Sequence, residues 1–252
     1  MGLTHSEERI LRSELDAAFE EALRPLRAPG GALGILFSGG VDSSLLAFEL
    51  RSRPELTLCT MGRDGAPDLK AGQEGATRLG LPWEPNVIGE LEVAAAESRF
   101  ASELVGLPPV SRTVLLGLAV AITGARPSRL VCGQGADELF LGYAHYRGLS
   151  ADEASMRAQE DLDRLLATDW PRTLRIGEKA GKTLFAPYLS ATFVRAARAV
   201  PTDSRIPREM PKRYFREWAL ARGLPAELAL RPKKALQYGT GVAALVRARS
   251  RP

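Results

Sequence analysis

A chain of 252 residues can bury a sizeable core, as one large domain or two small ones. With 45% hydrophobic and 25% charged residues it is neither a disordered segment nor a small stapled scaffold, and its two cysteines, Cys59 and Cys132, have no histidine or second cysteine at ligand spacing to suggest a zinc site or disulfide framework. The net charge of +4 is uneven: residues 201–252 hold twelve Lys/Arg against four Asp/Glu, an excess of eight, so the rest balances to −4. Such a basic tail is either a surface for phosphates or a solvated arginine-rich face, and both readings stay open here. The start, MGLTHSEERI, lacks a basic region followed by an apolar stretch, and no later run reaches the roughly 18 apolar residues of a membrane helix. A soluble cytoplasmic enzyme without membrane partners is expected.

In chain order, Thr4 and Glu7 form a capping-box signature, and Leu11, Leu15, Phe19, Leu23 and Leu26 then recur at nearly helical spacing, which predicts an entry helix through about Pro25. After the breaker Ala28-Pro29-Gly30-Gly31, the apolar run from Ala32 to Phe37 reads as a buried strand that ends in a glycine-serine loop before another apolar helical stretch. Glu55 to Met61 reads as a strand, Pro67 to Leu79 as a helix opened by proline and closed by Gly80, and Trp83 to Ile88 as a strand. Helical segments over 90–104 and 111–124 and a short strand from Arg129 to Cys132 follow. Strands alternating with helices imply an α/β fold with a parallel sheet and helices on both faces, its ligands beyond the carboxyl ends of the strands. From Ser150 onward the pattern turns helical, with a second capping box at Ser150 and Glu153 and with Pro211 and Gly223 bracketing a further helix. The expected division is a nucleotide-binding region over 1–150 and a helical C-terminal region over 151–252.

Ser38-Gly39-Gly40-Val41-Asp42-Ser43-Ser44 carries the strongest chemical signal. Two glycines let the backbone approach an anion, and the following helix offers free N–H groups and a positive dipole end, a geometry suited to pyrophosphate. Three serine hydroxyls add donors, and Asp42 can take the magnesium that accompanies ATP. No lysine follows at G-x-x-x-x-G-K spacing, so this is not the phosphate loop of kinases and GTPases. A ligand-free glycine turn would not call for an aspartate between glycines and paired serines.

The segment resembles the PP-loop of the ATP pyrophosphatases, which include asparagine synthetase, NAD synthetase, GMP synthetase and tRNA-thiolating enzymes. A second segment, Gly133-Gln134-Gly135-Ala136-Asp137-Glu138-Leu139-Phe140-Leu141-Gly142-Tyr143, is similar to the G-E-G-A-D-E-L-F-G-G-Y of asparagine synthetases and β-lactam synthetases. Gly62 with Pro67-Asp68-Leu69-Lys70-Ala71 and Leu79-Gly80, and then Arg231-Pro232-Lys233-Lys234-Ala235 against an R-x-K segment, continue the resemblance in family order. It identifies the chain as similar to the synthetase half of asparagine synthetase. That implies a PP-loop α/β fold, ATP and Mg2+ as cofactors, and cleavage of ATP to AMP and pyrophosphate to activate a carboxylate for attack by ammonia or another amine. Under the resemblance Asp42 and Asp137 hold magnesium, and Ser38, Gly39, Gly40, Ser43 and Ser44 bind pyrophosphate. Leu36, Met61 and Gly133 border the nucleoside, and Lys233 stabilises charge as the carboxylate attacks.

Three departures qualify the resemblance. Full asparagine synthetases begin with a glutaminase domain whose nucleophile is an N-terminal cysteine, whereas here Gly2 is second and only residues 1–31 precede the first strand. Ammonia is then expected from solution or a separate glutaminase subunit, or another amine replaces it. Gln134 stands where the family carries a glutamate near the nucleophile; glutamine orients through hydrogen bonds but accepts no proton at neutral pH, which leaves Glu138 as the nearest carboxylate in sequence for that task or for bracing the metal. The family's PFLD-like element is also altered, to Ala186-Pro187-Tyr188-Leu189-Ser190. Alternative readings are a PP-loop tRNA-modifying enzyme, which G-x-G-A-D-E argues against, so that nucleic acid is not expected as a partner, and a nucleotide-binding subunit with little activity of its own. Cys59 and Cys132 read as small core residues, Tyr143 and Tyr146 as packing for the second motif with either placed to reach a substrate, and His5 and His145 have no nameable partner.

Overall fold

A computed structural model describes residues 4–206, 210–232 and 235–249. Helix α1 (His5–Arg27) opens on the expected capping box: Glu7 N donates to the Thr4 hydroxyl, and the Glu7 carboxylate accepts from Thr4 N. It runs past Pro25 to Arg27, and its face of Leu15, Phe19, Leu23 and Leu26 is fully buried. Strands β1 (Leu33–Leu36), β2 (Leu56–Arg63), β3 (Trp83–Ile88) and β4 (Arg129–Val131) occupy the stretches read as strands. Between and after them lie α2 (Val41–Glu49), α3 (Pro67–Leu79), α4 (Glu90–Arg99), α5 (Ala101–Leu104), α6 (Pro109–Gly124) and α7 (Ala136–Leu139).

Helix α8 (Ala151–Arg164) starts on the second capping box and passes through a π turn, Leu165–Asp169, into α9 (Trp170–Lys179). After β5 (Thr183–Phe185) come α10 (Ala191–Ala199), α11 (Thr202–Arg205), α12 (Arg213–Ala221), α13 (Ala226–Ala229), α14 (Leu236–Gly239) and α15 (Val242–Arg249). Strand β5 lies inside the stretch read as helical. Three residues are too few for a strand period to show, and Thr183-Leu184-Phe185 is extended because it pairs with Arg129-Leu130-Val131.

The sheet has the order β3-β2-β1-β4-β5, and every pair is parallel. Pro85 is tolerated in β3 because that strand is an edge and one side of it needs no donor. Alternate strand residues feed two cores. Leu33, Ile35, Leu58 and Val131 pack with Phe19, Leu46, Phe193 and Trp218 from α1, α2, α10 and α12, while Cys59, Met61, Leu130 and Leu184 pack with Phe100, Leu116, Val120 and Ile176 on the opposite face. Helices thus cover both faces, the arrangement of a PP-loop α/β fold. Leu33 pairs with Leu56 on one side and Arg129 on the other, so β1 lies at the centre. The chain leaves β1 toward β2 but leaves β4 toward β5, in the opposite sense across the sheet. Such a switch point opens a crevice at the carboxyl ends of β1 and β4, and both glycine-rich loops emerge there.

Candidate active site

The first loop is held by its own hydroxyls. Phe37 N donates to Cys59 O at 2.8 Å, which keeps the chain on the sheet up to the turn. Ser38 N then donates to Ser43 Oγ, Ser43 Oγ to Gly40 O, and Gly40 N to Ser38 Oγ, each at 3.3 Å. Gly39 has φ +70, and a Cβ there would lie 2.6 Å from Ala71 O in α3, so only glycine fits between loop and helix. Val41, Leu45 and Leu46 bury the far side of α2, which directs its amino end, with first-turn N–H groups free of helical partners, toward the crevice. The Ser44 hydroxyl is buried without a hydrogen-bond partner among the described residues.

The second loop lies against the first, since a Cβ at Gly133 would sit 3.0 Å from Asp42 Cβ. Gln134 Oε1 accepts a weak bond from Cys132 Sγ at 3.5 Å. Burial pushes the Cys132 and Cys59 thiols up to about 12, so both are small core residues and neither is a thiolate near neutral pH. Glu138 is buried, and burial, reinforced by the neighbouring Asp137 charge, pushes its carboxyl up to about 7 although it accepts from Tyr143 OH at 2.6 Å. Tyr146 OH and His145 Nε2 both meet the buried Asp161 carboxylate, at 2.8 and 2.7 Å, which ties the turn after the motif to α8 and gives His145 a partner.

Asp42 and Asp137 converge on one cation. Lys212 Nζ lies 2.6 Å from Asp42 Oδ1 and 3.0 Å from Asp137 Oδ1, with the lysine side chain wholly buried. Space for this arrangement comes from Gly142: a Cβ there would fall 2.0 Å from Asp137 Oδ1 and 2.2 Å from Lys212 Cε. From the other side Tyr188 OH donates to Asp42 O at 2.9 Å while its ring stacks on Phe19. Tyr188→Phe keeps the ring and removes that bond, so it is expected to cost about 1 kcal/mol. The check is a thermal melt run beside ATP titration, with a small fall in Tm and weaker ATP binding as the expected result.

Of the site residues expected from sequence, the structure gathers the first loop, Asp42, Gly133, Gln134, Asp137 and Glu138 at the switch point. Leu36 and Met61 sit at the carboxyl ends of β1 and β2, against the second core. Lys233 lies outside the described residues. Lys212 and Tyr188 join the site without a signal in the sequence: a lysine between Pro211 and Arg213 in a basic stretch carries no local signature.

No group of three or more His, Cys, Asp and Glu that could cage a metal occurs among the described residues. Two hard carboxylate oxygens converging beside a glycine-rich loop are nevertheless a donor set that suits Mg2+, which is bound through one or two carboxylates plus phosphate oxygens and water. The residues present therefore fit magnesium carried in with a phosphate substrate. No helix among the described residues is long and apolar enough to cross a membrane.

Comparison with known proteins agrees with this geometry. The chain is similar to the glutamine-hydrolyzing asparagine synthetase of Gallus gallus, 27% identical over 243 residues covering 91% of this chain and 43% of that protein. It is also similar to the putative asparagine synthetase 1 of Methanocaldococcus jannaschii, 27% identical over 248 residues covering 83% and 46%. It spans less than half the length of these relatives. A solved U34-tRNA thiolase from Methanococcus maripaludis aligns with 96% of this chain and 83% of its own at a TM-score of 0.41 and 14% identity, a slight likeness. The profile described as Asparagine synthase matches residues 12–184, from α1 into β5 and through both glycine-rich loops. The chain belongs to the asparagine synthase family.

Proposed function

We propose that the protein is an ATP-dependent amide ligase that forms AMP and pyrophosphate. The convergence of Asp42 and Asp137 beside the PP-loop, at the switch point of the sheet, is the observation that carries this reading. A substrate carboxylate oxygen attacks the α-phosphorus, the bond from that phosphorus to the bridging oxygen breaks, and its electron pair leaves with pyrophosphate. Ammonia or another amine then attacks the acyl carbon, the bond to AMP breaks, and a proton leaves the nitrogen.

Within this reading Ser38, Gly39, Gly40, Ser43 and Ser44 bind the departing pyrophosphate through the loop and the amino end of α2. Leu36, Met61 and Gly133 border the nucleoside. Asp42 and Asp137 hold magnesium, which when bound supplies positive charge to the phosphates, and the family resemblance assigns Lys233 to the charge that gathers at phosphorus. Glu138, its carboxyl held near neutrality, is the group assigned to the proton released by the amine. The nitrogen comes from free ammonia, an amine substrate or a separate glutaminase subunit. Buried, protonated Cys59 and Cys132 weigh against sulfur transfer to tRNA.

The test is ATP–pyrophosphate exchange screened across carboxylates. Carboxylate-dependent exchange with AMP as the nucleotide product is expected, and ADP with phosphate would overturn the reading. Gln134 orients the acyl-adenylate without taking a proton. Gln134→Ala should therefore slow amide formation by about tenfold or less, as for loss of orienting bonds of ~1 kcal/mol, and leave adenylation intact. Rapid-quench measurement of both half-reactions checks it, and complete loss of amide formation would assign the glutamine a larger role.

A further inference from the structure

Lys212 belongs to neither glycine-rich motif, yet its ammonium lies against a carboxylate from each. It occupies a costly position. Its side chain is fully buried, its backbone is left-handed at φ 58 although it is not glycine, and Gly142 leaves the room its Cε takes. An ammonium tolerates such burial only when paired, and a residue held in a sparsely populated backbone region persists where the surroundings over-determine it, often at a functional site. Both carboxylates are only slightly exposed, so the contact is poorly screened.

One consequence follows from charge. A divalent cation bound to Asp42 and Asp137 shares its oxygens with the Lys212 ammonium at contact range. For a bare ion the lysine is a like-charge competitor that lowers affinity. For an ion that arrives with pyrophosphate, the phosphate oxygens restore the negative charge, and the same ammonium attracts the complex instead. We propose that Lys212 couples the two ligands: it suppresses binding of the free metal and favours the metal–pyrophosphate or metal–nucleotide complex, so that the site loads the pair together. The inference rests on the reading of Asp42 and Asp137 as metal ligands.

The test uses Mn2+ as probe, with free Mn2+ followed by electron paramagnetic resonance and corrected for the Mn2+–pyrophosphate complex in solution. Pyrophosphate should tighten Mn2+ binding to the wild-type protein by about tenfold or more, a coupling that is reciprocal by linkage. Lys212→Met should bind Mn2+ alone about tenfold more tightly than wild type and show less than about threefold coupling. Lys212→Gln keeps donors for both carboxylates without the charge and should behave like Lys212→Met. A variant that folds only when Mn2+ is supplied reports the same competition through folding. Unchanged or weaker Mn2+ binding in a folded variant overturns the inference, as does failure of both variants to fold with and without Mn2+. Absence of Mn2+ binding by the wild type, even with pyrophosphate, would instead overturn the assignment of the two aspartates and the function built on it.

Discussion

Asp42→Asn and Asp137→Asn are each expected to lower ATP–pyrophosphate exchange by about two to three orders of magnitude, or ~3–4 kcal/mol of transition-state stabilisation. Asparagine keeps the shape of the side chain, so the room left by Gly142 and the bond from Tyr188 OH to the backbone of residue 42 remain. The substitution takes the charge of one of these two carboxylates away from magnesium and from Lys212. The buried ammonium retains a single carboxylate from this pair, and stripping a buried ion of a partner costs up to about 3–5 kcal/mol. Each variant should therefore melt below wild type as well as lose exchange, and the activity assay belongs at a temperature where circular dichroism shows the chain folded. Exchange within threefold of wild type under those conditions would remove both aspartates from the proposed machinery.

Phe19→Ala should produce the largest loss of stability although its side chain does not reach the crevice. Phe19 is fully buried, with ring centroids 5.5 Å from Tyr188, 5.5 Å from Phe193 and 5.1 Å from Trp218. Truncating a buried phenylalanine costs about 3–5 kcal/mol, because the cavity relaxes only in part. For a chain of this size that lowers Tm by roughly 10 °C. Tyr188 loses its stacking partner while its hydroxyl still bonds Asp42 O, so ATP affinity should fall along with Tm. Calorimetry and ATP titration on the same preparation test both, and a Tm within about 3 °C of wild type would mean that the aromatic cluster closes over the cavity.

Residues 4–7 and 150–153 show why some features are readable in one dimension. Their capping boxes join a hydroxyl and a carboxylate to backbone groups three positions away, so partner and distance are both written in the local sequence. The same holds for the bounds of α3, Pro67 and Leu79 before Gly80, and for the PP-loop, whose serine hydroxyls bond within five positions of one another. Strand β1 was legible because a buried parallel strand is a continuous apolar run.

Other features depend on partners brought together from afar. Strand β5 is extended only because β4 offers an edge, and His145 finds Asp161 only after α8 turns back on the motif. Tyr188 reaches Asp42 across 146 positions and Lys212 reaches the same residue across 170. Local propensity makes a lysine in a basic tail a surface residue. It becomes a buried counter-ion because α12 carries it to the switch point, where two carboxylates repel each other unless a cation lies between them. The chemistry of each loop was thus set by short-range order along the chain, whereas the meeting of the loops on one ammonium was decided by long-range packing and the electrostatic cost of leaving like charges together in a poorly hydrated site.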